Sequence, residues 1–264
     1  MGRVILLGGL DPSGGAGISV DATVVSLLGG APLPIALAAT VQGLRGFSHF
    51  VPIDESLILE QLAVVLADGP VRVVKVGFIG SAKMISTVAD ALQSLVGEAE
   101  IIVDPVLSAT AGGMGMGEEL VAGYREHLIP IAGLVTPNAL ELDRLADGDA
   151  RALLDLGAKA VLQKGGHGTG PRACDQLFLG EQATGRPYQF ERERFDCGPV
   201  RGTGCALAAA IATNLADRHS LIDSCRMAGD WLGAMLSRVR PRPSGLPRHL
   251  PFHSASGLGG RSEA

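Results

Sequence analysis

Val4–Ala22 reads VILLGGLDPSGGAGISVDA: a short apolar run, a glycine-rich polar turn, then a helical pattern opening near Ala16. The same order of run, turn and helix repeats along the chain. Further apolar runs lie at Pro34–Ala39, Val73–Gly77, Ile101–Pro105, Gly133–Asn138 and Lys159–Gly166. Helical stretches separate or border them at Ala16–Leu28, Ser56–Ala67, Ser81–Leu95, Gly117–Leu128, Ala139–Leu145 and Ala150–Leu156. Alternation of this kind predicts right-handed βαβ units and a parallel sheet covered by helices on both faces. A hairpin-like pair, DQLFLG (Asp175–Gly180) and RPYQFER (Arg186–Arg192), comes next. Two helices, Thr203–Ala216 and Leu221–Arg238, complete the pattern.

Composition fits that architecture. The chain has 264 residues, 47% hydrophobic but only 4% aromatic, so its core must be built from Val, Leu, Ile and Ala. That length is close to the upper size for one continuous core, and one domain is expected over residues 1–240. Beyond Val239 the sequence turns rich in Pro, Gly, Ser and Arg, with no helical or strand period. Residues 241–264 therefore read as a loosely ordered tail.

A formal charge of −5 offers no basic stripe for a phosphate backbone, so no nucleic-acid partner is expected. The opening apolar run is too short for a membrane span or signal peptide. Cys174, Cys197, Cys205 and Cys225 show no CxxC spacing. Reduced thiols and a cytoplasmic setting are expected.

Nearly every unusual polar stretch follows a strand: DPSGGAG, FIGS, DPVLSATAGG, TPNALE and KGGHGTG. Ligands of open α/β sheets bind beyond the carboxyl ends of the strands, so these stretches predict one site on one edge. In GTGCALAAAIA (Gly202–Ala212), Gly202 and Gly204 allow close backbone approach to a ligand, and the helix start favours an anion. Cys205 is either a packed core thiol or a reactive one whose thiolate the helix start favours. Asn138 and Glu141 in TPNALE lie one turn apart. They form either a plain helix cap or an oxygen-rich edge for water around Mg²⁺.

Lys164 in VLQKGGHG is either a solvated turn residue or a phosphate ligand. Asp21 lies inside the first helix on the strand-end side, where a solvated carboxylate is the plainer reading. Gln42, just past a strand, offers the donor and acceptor that an aminopyrimidine edge would need. His49, His127 and His219 have no metal-like spacing and read as surface or helix-end residues. Neither GxxxxGK[ST] nor a GxGxxG opening a helix after the first strand is present.

Taken in order, DPSGGAGISVD, VQ at Val41–Gln42, VKVGFIG, VDPVLSATAGG, TPNALE, VLQKGGHG and GTGCALAAAIA resemble the hydroxymethylpyrimidine/phosphomethylpyrimidine kinases of thiamine biosynthesis, within the ribokinase-like superfamily. The resemblance implies a three-layer αβα sandwich with a mostly parallel central sheet. It also implies ATP- and Mg²⁺-dependent phosphorylation of 4-amino-5-hydroxymethyl-2-methylpyrimidine, then of its monophosphate to the diphosphate, in a homodimer.

By position, Gln42 would pair with the ring, with Asp21, Ala16 and Val106 nearby and Phe78 on the ring. Cys205 would take the hydroxyl proton while N–H groups around Gly202–Cys205 hold the phosphoryl group. Lys164 and Thr203 would lie near the ATP phosphates, and Asn138 and Glu141 would organise Mg²⁺ through water. Several positions depart from the family's usual pattern. Thr23 replaces lysine, Gly43–Leu44 replace Asn-Thr, Phe78 replaces Met and Arg201 replaces histidine, while the segment between Glu141 and Lys164 is short. A pyridoxal/pyridoxine kinase and a non-catalytic pyrimidine-binding regulator are the alternatives on the same fold.

Overall fold

The computed structural model describes residues 2–107, 117–166, 168, 170–182 and 185–252. His167, the SATAGG segment at 108–113 and residues 253–264 of the expected tail lie outside the described residues. Strands β1 (Arg3–Leu10), β2 (Ala31–Gly43), β4 (Val73–Val76), β5 (Glu100–Val103), β6 (Leu134–Val135) and β7 (Ala160–Gln163) pair in parallel. β3 (Gly46–Pro52) pairs antiparallel at one edge, and β8 (Arg172–Leu179) and β9 (Tyr188–Glu193) do so at the other. Among the described residues these form one nine-stranded sheet, ordered β3-β2-β1-β4-β5-β6-β7-β8-β9.

Strand alternation divides the core into two layers. Ile5 and Leu7 of β1 face helices α2 (Glu55–Ala67), α3 (Ala82–Leu92), α4 (Glu118–Gly123), α5 (Ala139–Ala146) and α6 (Ala150–Asp155). Val4 and Leu6 face α1 (Gly17–Leu27), α7 (Thr203–Ala216) and α8 (Leu221–Leu236). The result is the expected three-layer sandwich. α7 is the inner helix of its layer, buried without a break from Ala206 to Thr213. Its alanines let it lie close to the sheet, since helix spacing follows side-chain size at the contact.

Three differences from the sequence reading have local causes. β2 runs on to Gly43 and pairs with an unforeseen β3, where Phe47 and Phe50 interrupt any clean alternation. The expected helix 117–128 divides into α4 and a wide π turn at Tyr124–Leu128, where the Tyr124 ring is buried and its hydroxyl donates to the Gly77 carbonyl. The segment after Val239 is not loose throughout its described part. Arg248 N–H donates to the Pro199 carbonyl, its carbonyl accepts from Arg201 N–H, and Leu250 is buried. Among the described residues no helix is long and apolar enough to cross a membrane.

The strand order positions the site. β2 lies on one side of β1 and β4 on the other, so the chain reverses its direction of growth at β1. Such a reversal leaves a crevice beyond the carboxyl ends of the two strands. The loops after β1 and β4 therefore flank the natural binding edge.

Candidate active site

Two helix starts meet at this edge because glycines allow it. Gly202, the residue before α7, has a left-handed φ of 71°, and a Cβ there would stand 2.2 Å from the Gly15 carbonyl oxygen. Gly17, with φ 57°, would bring a Cβ within 2.1 Å of the Gly9 carbonyl oxygen. Neither Ala16, at the cap of α1, nor Gly202 supplies a side-chain cap. The first N–H groups of both helices are thus free of side-chain caps, and both helix dipoles favour negative charge there. Gly202→Ala is expected to lower stability by about 1–3 kcal/mol from backbone strain alone, and to push the Gly15 loop away. A chemical denaturation midpoint equal to wild type would show that the two loops need not touch.

Beneath the helix starts lies a buried chain of charges. Lys75, in the middle of β4, is fully buried and donates to Asp21 Oδ2 at 2.7 Å. Its Nζ is also 4.0 Å from Asp104 Oδ2. Asp104, at the end of β5, accepts from Lys164 Nζ at 2.7 Å and from the Thr136 hydroxyl at 2.9 Å. Lys164 in turn stands 3.7 Å from Glu141 Oε2. Lys164 is held there by backbone pairing, its N–H donating to the Pro137 carbonyl at 2.9 Å beside Asn138. A Cβ on Gly204 would lie 3.2 Å from Lys164 Nζ, which places the ammonium at the mouth of α7.

Asn138 and Glu141 form a reciprocal capping box on α5, with bonds of 2.9 and 2.8 Å. The plain-cap reading is therefore correct as far as it goes. The exposed Glu that would accompany it is not found, because Glu141 is only 6% exposed. Burial raises its carboxyl above the ordinary range, although Lys164 pulls the other way. Burial likewise raises Asp21, to about 6, against the pull of Lys75. Asp104 behaves oppositely: burial works against its charge, but Lys164, Lys75 and the bonds from Lys164 and Thr136 hold it below the usual range. Both lysines stay charged despite burial because carboxylates surround them.

Asp21 is thus not the solvated helix carboxylate of the plainer reading. Its Oδ2 is bound to Lys75, and its Oδ1 is buried with no hydrogen-bond partner. Cys205 sits in the first turn of α7, near enough to Lys75, Asp21 and Asp104 to feel all three charges. Burial pushes its thiol up to about 11; Lys75 pulls it down, while both carboxylates push it further up. The expectation that the helix start favours the thiolate is therefore overturned. Desolvation and two nearby carboxylates outweigh the helix start, the Gly17 N–H and the charges of Lys75 and Lys164.

On the other side of the helix starts stand the ring-binding candidates. Gln42 lies on a bulge of β2 and Phe78 just past β4, its ring packed against Gly9. Phe78 meets Phe50 edge-on at 5.3 Å and Phe47 at 6.3 Å between ring centres. Val106 lies two residues beyond Asp104 and its N–H donates to the Asp104 carbonyl at 2.9 Å. Thr203 is the first residue of α7. Predicted residues from seven strand ends, loops and helix starts thus share one edge of the sheet.

Sequence reading missed Lys75 and Asp104, which tie the edge together. Their signal was present: a lysine within the four-residue strand VVKV and an aspartate closing IIVD are charges in places where strands are buried on both faces. In the sequence Arg201 stands out only as a departure from the family's usual histidine. It is buried and reaches Gln42, Gly43 and Asp11.

Comparison with known proteins gives the family. The phosphomethylpyrimidine kinase family matches residues 11–245. A hydroxymethylpyrimidine/phosphomethylpyrimidine kinase of Rhizobium meliloti is 36% identical over 242 residues, which cover 88% of this chain and 89% of that protein. A thiamine biosynthesis bifunctional protein of Geobacter sulfurreducens is 35% identical over 261 residues; the match takes in 94% of this chain but only 52% of the longer protein. A pyridoxal kinase of Staphylococcus aureus, solved in complex with ADP, superposes with a TM-score of 0.84 at 22% identity, covering 98% of this chain and 96% of its own. That likeness establishes the ribokinase-like fold. The family match and the Rhizobium relative establish more: this chain belongs to the phosphomethylpyrimidine kinase family.

Proposed function

We propose that this protein uses ATP to phosphorylate 4-amino-5-hydroxymethyl-2-methylpyrimidine, and then phosphorylates the monophosphate to the diphosphate, as an enzyme of thiamine biosynthesis. The observation that carries the reading is the meeting of Lys164 with Gly204 in the first turn of α7, a helix preceded by Arg201, which holds Gln42. A phosphoryl group is bound on one side and a flat heterocycle on the other.

In this reading Gln42 pairs with the ring edge, Phe78 lies on its face, and Ala16 and Val106 border it. Asp21 is fully buried, with its Oδ1 unpartnered, and backs the pocket from beneath through its pair with Lys75. Lys164 and Thr203 bind ATP phosphates, and backbone N–H groups of Gly202 to Cys205 hold the charge that grows on the transferring phosphoryl group. Cys205 accepts the proton of the attacking hydroxyl; the new O–P bond forms as the bond to ADP breaks. A thiol held protonated cannot accept a proton, so Cys205 must first lose its own. The rate is therefore expected to climb as pH rises from 7 towards 9, and the climb should be absent in Cys205→Asp, whose carboxylate ionises at lower pH.

The residues present also fit Mg²⁺. Asp21, Asp104 and Glu141 outnumber Lys75 and Lys164 in the buried chain, and Glu141 has lost some of its tendency to ionise. Added positive charge beside Asn138 and Glu141 would relieve that excess, with hard oxygen donors and retained water. The ion would neutralise phosphate charge; the chain's own part is to orient its water shell. The homodimer implied by the family resemblance is part of the same proposal. The test of the proposed activity is ADP release in the presence of Mg²⁺ and ATP. Release should appear only when the hydroxymethylpyrimidine is added, and release no greater than the ATP-only background would refute it.

A further inference from the structure

Arg201 stands at a crossing of three segments. Its Nη1 donates to the Gly43 carbonyl at 2.7 Å, and its Nη2 donates to Gln42 Oε1 at 2.6 Å. The same Nη2 lies 3.4 Å from Asp11 Oδ2. Its own N–H donates to the Arg248 carbonyl at 2.9 Å, so the returning C-terminal segment fixes its backbone. The other end of the Gln42 amide is just as constrained. Gln42 Nε2 donates to Thr40 Oγ1 at 2.9 Å, and the Thr40 hydroxyl donates to the Leu10 carbonyl at 2.7 Å.

These contacts settle which way the amide points. A guanidinium carries donors only, so it must face the amide oxygen. The proton of Thr40 is committed to a carbonyl, so its oxygen must face the amide nitrogen. Flipping the amide would set donor against donor at Arg201 and acceptor against acceptor at Thr40. One N–H and one lone pair of Gln42 then remain for a ligand, in fixed positions.

We propose that Arg201 is a specificity-determining residue: by locking the Gln42 amide it makes the pocket select a 4-aminopyrimidine over its 4-oxo counterpart. The amino compound offers a ring-nitrogen acceptor beside an N–H donor. The oxo compound, as its N–H tautomer, offers the reverse, a ring N–H beside a carbonyl oxygen. A free glutamine amide serves either by turning over; a locked one serves only the first. The proposal rests on the pyrimidine-kinase reading.

The test is calorimetric binding, without ATP, of 4-amino-5-hydroxymethyl-2-methylpyrimidine and of the same compound with oxygen in place of the 4-amino group. Gln42 is half-buried, so wild type is expected to prefer the amino compound by about tenfold to a hundredfold, the penalty of leaving polar groups mispaired at such a site. Arg201→Met should reduce that preference to about threefold or less, while Arg201→Lys, which still presents only donors, should keep most of it. Should Arg201→Met fold poorly because Asp11 loses its partner, the pair Asp11→Asn with Arg201→Met removes that carboxylate and leaves the Gln42 question intact. Wild-type binding without preference, or a preference undiminished when Arg201 becomes Met, would overturn the proposal. Failure of phosphoryl transfer alone would count against the kinase reading and leave this selectivity result standing.

Discussion

Lys75→Met is expected to destabilise the protein by about 3–5 kcal/mol, the usual loss when one partner of a buried ion pair is removed. In a chain of this size that is a fall in Tm of about 10 °C. The reason is geometric. Lys75 is fully buried, 2.7 Å from Asp21 and 4.0 Å from Asp104, and Asp21 has no other hydrogen-bond partner. Methionine fills the space but leaves the Asp21 charge without compensation.

The pH dependence has a definite sign. Asp21 holds its proton more tightly in the fold, at about 6 against an ordinary 3.8, because burial disfavours its charge. The folded state therefore binds more protons than the unfolded one between those values, and this group's contribution to stability declines as pH rises through that window. Without Lys75 the folded-state value moves higher still. The deficit of Lys75→Met should accordingly shrink as pH is lowered from 7 towards 5. Adding Asp21→Asn should restore most of the lost stability, since a neutral pair of similar volume needs no counter-charge. Equal melting of wild type and Lys75→Met at pH 7 would mean that the buried pair is not formed as described.

Cys205→Ser is expected to lower kcat about a hundredfold or more, the contribution typical of a general base, while KM for the pyrimidine changes little. Serine keeps the size and the helix start but is far harder to ionise. The thiol is already held protonated by burial, at about 11, with Asp21 and Asp104 opposing its ionisation and Lys75 favouring it. The two large effects are thus linked: Lys75 both neutralises Asp21 and eases the loss of the Cys205 proton. A loss of only about twofold in Cys205→Ser would remove it from the role of base.

The layered fold was legible because buried parallel strands write themselves as unbroken apolar runs. VILLGG and IIVDP could be read as strands, and the sandwich followed from their alternation with helices. β3 was not legible. It is an edge strand with exposed side chains, joined to β2 by a short turn, and its register slips at Val41/Gln42. The site was legible in its loops, where glycines and polar residues stand out against the runs. It was not legible in the strands themselves. Lys75 and Asp104 are hidden in the sequence because they sit within or at the end of runs that read as core. Yet a charge in such a run must find a partner, and the partners are the site residues Asp21 and Lys164. Arg201 stood out only as an oddity of sequence, because Gln42 and Asp11 lie 159 and 190 residues away and meet it only in the fold.

The alcohol that this protein phosphorylates defines its function. The most direct measurement is mass spectrometry of the products formed from ATP, Mg²⁺ and the hydroxymethylpyrimidine with pyridoxal present in equal amount. Pyrimidine monophosphate is expected first and diphosphate afterwards, with pyridoxal phosphate a minor product. Pyridoxal phosphate as the main product, or no phosphorylated pyrimidine, would contradict it.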